Sequence, residues 1–137
     1  PTRRSSDLKP NFAPIIKWAR LGDDLNKPIE DLEGYDLLTV PDTASPLCKW
    51  VVVEEDLARF GIRQGNKVAI EPVLHEGYVP VENELYLFRS TASGLFFLAE
   101  YRSLANNEFE AIPASGPPMD SIRHGIEIAG IHKGTWK

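Results

Sequence analysis

The side chains that could carry out chemistry are thinly spread along this sequence. The three histidines are His75, His124 and His132, and none of them has the i, i+4 or Cys-x-x-Cys spacing that brings zinc ligands together. The acidic run Glu54–Asp56 could form a carboxylate pair or a calcium site, but neighbouring carboxylates more often lie on a solvated turn. We therefore predict no metal site and no cofactor.

Glycine and aromatic patterns give no catalytic motif either. The frames at 61–65 and 130–134 both fit G-x-x-x-G, but neither lies in an apolar helix or begins a phosphate-binding loop. We interpret these glycines as turn or strand residues. Among the aromatic residues, Trp136 has little following chain to cover it, so we predict that it contributes to an interface between subunits.

The elements that must position these groups are mostly strands. Short apolar clusters recur between Gly, Pro, Asn and Asp residues, which is typical of a mainly β fold with little helix. Between the first two predicted strands, Glu54–Gly61 predicts a single helical turn, because acidic residues precede its apolar positions and a glycine follows. The predicted strands are Lys49–Val53, Lys67–Glu71, Glu84–Arg89, Leu95–Arg102, Asn107–Ile112 and Gly125–Trp136.

Length and composition limit the class of protein. The chain has 137 residues, of which 42% are hydrophobic and 26% charged, as in a single globular domain. No apolar run approaches the roughly 18 residues that a membrane-spanning helix needs. The single cysteine, Cys48, cannot form an internal disulfide, and no export signal opens the sequence. We therefore expect a cytoplasmic protein.

Charge is unevenly distributed along the chain. Residues 1–20 contain five basic residues and one acidic residue, whereas residues 21–137 have a net charge of −9. Because nucleic-acid binding depends on basic side chains that displace counterions, the acidic part is poorly suited to bind DNA itself. Residues 1–11 are polar and lack an apolar period, and we interpret them as a linker.

The order of motifs in the middle of the chain resembles that of a known family. A β-branched run at 51–53 is followed by a short turn, by Gly61-Ile62-Arg63-Gln64-Gly65 and by an alternating strand. This order resembles the C-terminal domain of LexA and phage-repressor transcriptional regulators, which has a signal-peptidase-like fold. Pro14–Gly22 is similar to that family's cleavage segment, and the resemblance covers residues 12–136.

The resemblance implies a fold and a division of the chain. The fold would consist of strongly bent antiparallel sheets with little helix. Residues 1–11 would link a missing N-terminal helix-turn-helix domain to an oligomerisation domain at 12–137, in which 12–30 would be a degenerate cleavage segment.

In this family a serine nucleophile and a lysine base cut the chain's own Ala-Gly or Cys-Gly bond. Burial keeps the lysine neutral, so that it can accept the serine proton. Here the nucleophile position falls on Asp56, the base position on Ala99, and the scissile pair on Leu21 and Gly22. We therefore predict that the chain does not cleave itself.

Two gaps in the sequence support this prediction even if the alignment shifts by a residue or two. No Ser, Thr or Cys lies between Cys48 and Ser90, and no lysine lies between Lys67 and Lys133. A serine–lysine dyad therefore cannot form at the family's positions.

Without catalysis, the resemblance implies a homodimer, or a higher oligomer, that couples two DNA-binding domains. Operator DNA would then be contacted only through the missing N-terminal domain, and no membrane is involved. The interface candidates are Ile126, Ile128, Ile131 and Trp136 of the C-terminal strand, which would form an exposed edge. An antirepressor-like protein could release such a repressor from its operator.

Two other functions stay open at this point. One is a self-cleaving serine peptidase with a relocated nucleophile at Ser90, Ser93 or Ser103. The other is a stand-alone protein-interaction module without a DNA-binding domain.

Overall fold

The computed structural model describes residues 12–28, 31–32, 34–74 and 77–137. These residues form one mixed sheet of nine strands, which confirms the prediction of a mainly β fold with little helix. The predicted linker at 1–11 lies outside the described residues. The strands are β1 (Phe12–Ile16), β2 (Leu37–Thr39), β3 (Lys49–Val52), β4 (Lys67–Pro72), β5 (Leu85–Ser90), β6 (Phe96–Ser103), β7 (Phe109–Pro113), β8 (Met119–Asp120) and β9 (Ile126–Trp136).

The strand order is β2-β1-β3-β4-β9-β5-β6-β7-β8. All neighbouring strands are antiparallel except β1 and β3, where Ile15 lies opposite Trp50 in a parallel pair. Strand β9 lies between β4 and β5, so the expectation that the C-terminal strand forms an exposed edge is wrong. The edges are β2 and β8, which have only three and two residues. Such short edge strands offer little backbone for pairing with another chain.

The helical parts of the described residues are short. A 3-10 turn at Trp18–Arg20 runs into the helix α1 (Leu21–Asp24). A second 3-10 turn at Ala58–Phe60 confirms the helical turn predicted within 54–61. It ends at Gly61, whose φ of +67° is a left-handed conformation that glycine adopts without strain. No helix in the described part of the chain is long and apolar enough to span a membrane.

The main core lies on one face of the sheet. Alternation along β5 places Leu85 and Leu87 on this face and Tyr86 and Phe88 on the other, as expected for a strand buried on both sides. Both 3-10 turns and helix α1 also pack against the face that carries the main core. The buried residues of this core are Ile16, Leu21, Leu25, Val51, Val53, Leu57, Ile62, Val68, Ile70, Leu85, Leu87 and Leu98.

The opposite face carries two smaller clusters. One is aromatic: the Phe88 ring stacks on Phe97 and Phe109, with ring centroids 5.6 and 6.0 Å apart. In the other cluster Trp50 is buried beneath the 40–48 loop, and the Trp136 ring packs edge-on against it at 6.5 Å. The sheet is therefore covered on both faces by apolar side chains.

Close packing across the central strand depends on one glycine. Gly130 of β9 has no side chain, and a Cβ there would collide with the side chain of Ile70 on β4, while Leu87 of β5 would lie in ordinary contact. The tight contact between β4, β9 and β5 therefore requires glycine at this position.

Candidate functional site

Asp56, which the resemblance predicts at a nucleophile position, is exposed and lies just before the 3-10 turn at Ala58–Phe60. Its Oδ1 accepts a hydrogen bond of 2.8 Å from the backbone N–H of Gln64. Leu57 and Ile62 pair across the base of this loop through two backbone hydrogen bonds. The Asp56 carboxylate therefore stabilises a turn, and it cannot act as a serine hydroxyl would.

Ala99, which the resemblance predicts at a base position, is buried in β6 between Tyr86 and Pro113 of the adjacent strands. Its methyl group belongs to the aromatic cluster that contains Phe88. Because side chains alternate along a strand, the next residue, Glu100, lies on the opposite face, where the turn after Asp56 packs. Glu100 is therefore the side chain of β6 that meets the turn.

Glu100 is the charged group that the sequence analysis missed. Its side chain is 1% exposed, yet it contacts two arginines: Arg59 Nη1 lies 2.5 Å from Oε1, and Arg102 Nε lies 3.3 Å from Oε2. Both arginines are about half exposed, so the positive charge stays in contact with water while the carboxylate does not. The two guanidinium groups therefore compensate the charge of this buried carboxylate.

A small cavity of about 90 Å³ separates the 3-10 turn from β6 and β7. Apolar side chains form most of its wall, and Glu100 and Arg59 supply its charged groups. The structure thus brings together residues that follow Asp56 and residues of β6 beside Ala99. Asp56 itself lines a different, open groove beside Arg63 and Lys137.

The predicted scissile pair is not presented for cleavage. Leu21 and Gly22 lie in α1, where Leu21 is 1% exposed in the main core and Gly22 is exposed. A peptide bond inside a helical turn is not extended, and the buried leucine fixes it to the domain. Attack on this bond would require the segment to leave the core first.

The same segment is held by a buried carboxylate. Asp24 Oδ2 accepts hydrogen bonds from Tyr35 Oη (2.7 Å) and Arg20 Nε (3.2 Å), and its Oδ1 lies 3.2 Å from Lys27 Nζ. Burial alone would raise the pKa of Asp24, but the hydrogen bonds from Tyr35, Arg20 and Lys27 hold it below its ordinary value. The side chain is therefore ionised at neutral pH and anchors α1.

Lys49 is a buried lysine that the sequence analysis did not single out. Its side chain is fully buried in β3, and its ammonium group donates to the backbone carbonyl of Lys27. Burial lowers the pKa of Lys49, as it does for a lysine that serves as a general base. However, no hydrogen bond joins a serine or threonine hydroxyl to a lysine amine within the described residues.

Two of the three candidate relocated nucleophiles accept hydrogen bonds within a turn. Ser90 Oγ accepts from the backbone N–H of Ser93, and Ser93 Oγ accepts from that of Leu95, so both hydroxyls shape the β5–β6 turn. The backbone N–H of Ser103 donates to Glu82. None of these three serines hydrogen-bonds a basic side chain in the described residues.

The two histidines within the described residues have separate hydrogen-bond partners. His124 is exposed and faces the Asp120 carbonyl at 3.3 Å, and His132 Nε2 lies 2.9 Å from Thr135 Oγ1. Burial lowers the pKa of His132. His75 lies outside the described residues. Across the described ranges, no three His, Cys, Asp or Glu side chains cluster in a way that could hold a metal ion.

The four interface candidates differ in exposure. Ile126 is 8% exposed, and Ile128 and Ile131 are half-buried against the aromatic cluster. Trp136, which packs on Trp50 in the other small cluster, is 48% exposed, so it has the most surface to offer a second subunit. Because β9 is an interior strand, an interface there would use side chains and not backbone pairing.

Comparison with known proteins finds neither a family model nor a curated protein that matches this sequence.

Proposed function

We propose that this chain is the non-cleaving dimerisation and regulatory domain of a LexA-like, phage-type transcriptional repressor. The observation that carries the proposal is the state of the cleft between the Ala58–Phe60 turn and β6. The charged side chain of β6 in this cleft is Glu100, which is held by two arginines, and the predicted nucleophile and base positions are occupied by a turn-bound Asp56 outside the cleft and a buried Ala99. The fold therefore serves to join subunits and not to cut a peptide bond.

In this role the domain couples two DNA-binding domains that precede it. Binding of one DNA-binding domain to a half-site raises the effective concentration of the second at its own half-site. Residues 21–137 carry a net negative charge that DNA phosphates repel, whereas residues 1–20 carry a net positive charge that phosphates attract. A cytoplasmic location agrees with the buried, unpaired thiol of Cys48.

Release from DNA then requires something other than self-cleavage. We propose that a protein of antirepressor type binds this domain, because the segment that would be cut is fixed by Leu21 and Asp24 and cannot serve as the switch.

Incubation of the purified chain at alkaline pH tests the loss of catalysis. A peptidase with a lysine base becomes more active as the lysine loses its proton, so an active enzyme would give fragments ending near Leu21. We expect intact mass by mass spectrometry after prolonged incubation. Fragments that form from the wild-type chain but not from Ser90→Ala, Ser93→Ala or Ser103→Ala would favour the peptidase with a relocated nucleophile and overturn the proposal.

Sedimentation equilibrium tests the coupling role. We expect a dimer that dissociates on dilution, and a monomer persisting at about 100 μM would overturn the proposal, since repressor pairing at lower concentrations would then be negligible. Trp136→Ala should weaken the dimer, because this exposed ring offers the largest aromatic surface on β9. The matched control is Leu95→Ala, which removes an apolar side chain from the β5–β6 turn that is even more exposed than Trp136 and should leave the dimer unchanged.

A further inference from the structure

The first residues of β9 extend beyond the end of the strand beside them. Strand β4 pairs with β9 as far as Gly130, and the last backbone bond on this side joins the Val73 N–H to the Ala129 carbonyl at 3.0 Å. Strand β9 itself begins at Ile126. Residues 126–128 therefore pair with β5 on one side, and on the other side no strand among the described residues pairs with them. We call this stretch the unpaired edge of β9.

The backbone of the unpaired edge directs hydrogen-bonding groups away from β5. The N–H of Thr91 donates to the Gly125 carbonyl at 2.7 Å, so the backbone of Gly125 faces β5. Along an antiparallel strand these groups alternate in direction, so Glu127 also faces β5, whereas Ile126 and Ile128 face the other side. No backbone group in the described ranges bonds to them there. Such a stretch is a template for pairing with an extended chain.

Two cavities open on either side of the unpaired edge. The larger, of about 640 Å³, lies on the face that carries the aromatic cluster. The smaller, of about 320 Å³, lies beside α1. Val73, Glu127 and Ile128 line both cavities, so the two spaces meet at the edge itself. A strand added here would place successive side chains in the two cavities alternately.

The larger cavity favours a positive charge on an apolar stem. Tyr78 and Tyr101 form part of its wall, and Glu127 is the only charged residue among its described lining residues. Arg89, which pairs with Glu127 at 3.0 Å, lies in the smaller cavity. Burial raises the pKa of both tyrosines, and nearby carboxylates raise it further; these are Glu71, Glu82 and Glu84. A lysine side chain would bring an aliphatic stem to the aromatic wall and an ammonium group to these carboxylates.

We propose that the unpaired edge of β9 is a docking site for an extended, lysine-containing segment of a partner protein. The segment adds to the sheet antiparallel to β9, as β4 does, with its lysine opposite Ile128. The lysine residue exchanges both backbone hydrogen bonds with Ile128, and its side chain enters the larger cavity. This inference deepens the proposed function, on which it rests, because it assigns the place where a regulatory partner binds the domain.

The experiment is an NMR titration of the ¹⁵N-labelled chain with acetyl-Thr-Lys-Thr-Val-Thr-amide, whose β-branched residues favour an extended backbone. We expect saturable shifts of the amides at 73–74 and 126–129, with a dissociation constant of about millimolar order. At about ten times this concentration, hydrogen exchange of the Ile126 and Ile128 amides should slow about tenfold, because both become donors to the peptide. No saturable shift, or shifts without slower exchange at these two amides, would overturn the proposal.

Altered peptides separate the backbone bonds from the charge. Methylation of the lysine backbone nitrogen removes the donor to the Ile128 carbonyl and should weaken binding about tenfold. Norleucine in place of lysine keeps the stem without the ammonium group, and glutamate reverses the charge, so affinity should fall in the order lysine, norleucine, glutamate. The proposal is wrong if the methylated peptide binds as tightly as its parent, or if the glutamate peptide binds as tightly as the lysine peptide.

A pair of variants tests the assigned charge. Glu127→Gln should weaken the lysine peptide about two- to fivefold and leave the norleucine peptide unchanged. The matched control is Glu55→Gln, which removes an equally single charge from the loop after β3 and should change neither. Both side chains are exposed, so the fold is expected to persist. Equal effects of Glu127→Gln on the two peptides would contradict the assignment of lysine.

Sedimentation equilibrium on the same samples distinguishes failure of this inference from failure of the proposed function. A dimer that does not bind the peptide would refute the docking site alone. A monomer that binds the peptide would refute the dimerisation role alone.

Discussion

Substitution of Asp24 by asparagine removes the charge that anchors α1 while keeping the shape of the side chain. Asp24 accepts from Tyr35 at 2.7 Å and from Arg20 at 3.2 Å, and it pairs with Lys27 at 3.2 Å. A hydrogen bond to a buried charged group contributes about 1.5 to 3 kcal/mol, but Arg20 and Lys27 can return to water when it is lost. We therefore expect Asp24→Asn to lower the free energy of unfolding by about 2 kcal/mol, mainly through the weaker bond to Tyr35.

The assay is urea unfolding followed by tryptophan fluorescence. A loss of about 2 kcal/mol corresponds to a midpoint shift of about 1 M urea for a chain of this size. The matched control is Asp23→Asn, because Asp23 pairs with the same arginine at 3.2 Å but is 66% exposed. An exposed pair of this kind contributes at most about 0.5 kcal/mol, so the control should unfold almost as the wild type does.

The pH dependence tests the same reasoning a second way. Because the folded-state pKa of Asp24 is lowered, its contribution is fully present above the unfolded-state pKa of about 4 and is lost as the pH falls through the folded-state value. The difference in stability between wild type and Asp24→Asn should therefore narrow in acid. Equal losses of stability in Asp24→Asn and Asp23→Asn would refute the argument. A difference in stability between wild type and Asp24→Asn that stays constant down to about pH 2 would refute it as well.

Three further predictions follow from buried groups. Burial raises the pKa of Cys48 to about 12, so its thiol should not react with a disulfide reagent at neutral pH until urea unfolds the chain, and prompt labelling would contradict its burial. Gly130→Ala should cost about 1 to 3 kcal/mol in urea unfolding through collision with β4, whereas Gly22→Ala, with open space around it, should cost nothing. Tyr86→Phe should lower stability by about 1 to 2 kcal/mol, because the Val81 N–H would lose its acceptor at 2.7 Å, and an unchanged midpoint would refute this.

The parts of the fold that the sequence predicts are those encoded locally. The β5–β6 hairpin was predicted because two alternating runs flank a short turn that ends in Gly94, whose φ is +76°. Strands β3 and β4 followed from β-branched and alternating runs in the same way. Strands β1 and β2 were not predicted, because Pro14 interrupts one and the other has only three residues. Each depends on pairing with a segment more than twenty residues away.

Long-range contacts also explain what was missed in the candidate site. Charged residues are expected at the surface, so nothing in the local pattern predicts that Asp24, Lys49 and Glu100 are buried. Each is tolerated in the interior only because the fold brings it a partner, such as Arg59 for Glu100. The prediction that β9 lies at an edge of the sheet is wrong for a related reason. The apolar residues of β9 predict a strand, but they do not predict which strands lie beside it.

The central place of β9 has a consequence for biosynthesis. Strands β4 and β5 do not pair with each other; each of them pairs with β9, which lies between them. Of the described strands, β9 is the last to leave the ribosome. Until residues 126–136 emerge, one edge of β4 and one edge of β5 lack a partner strand, and such unpaired edges are prone to aggregation and to chaperone binding. Closure of this sheet during translation is therefore expected to be abrupt and late.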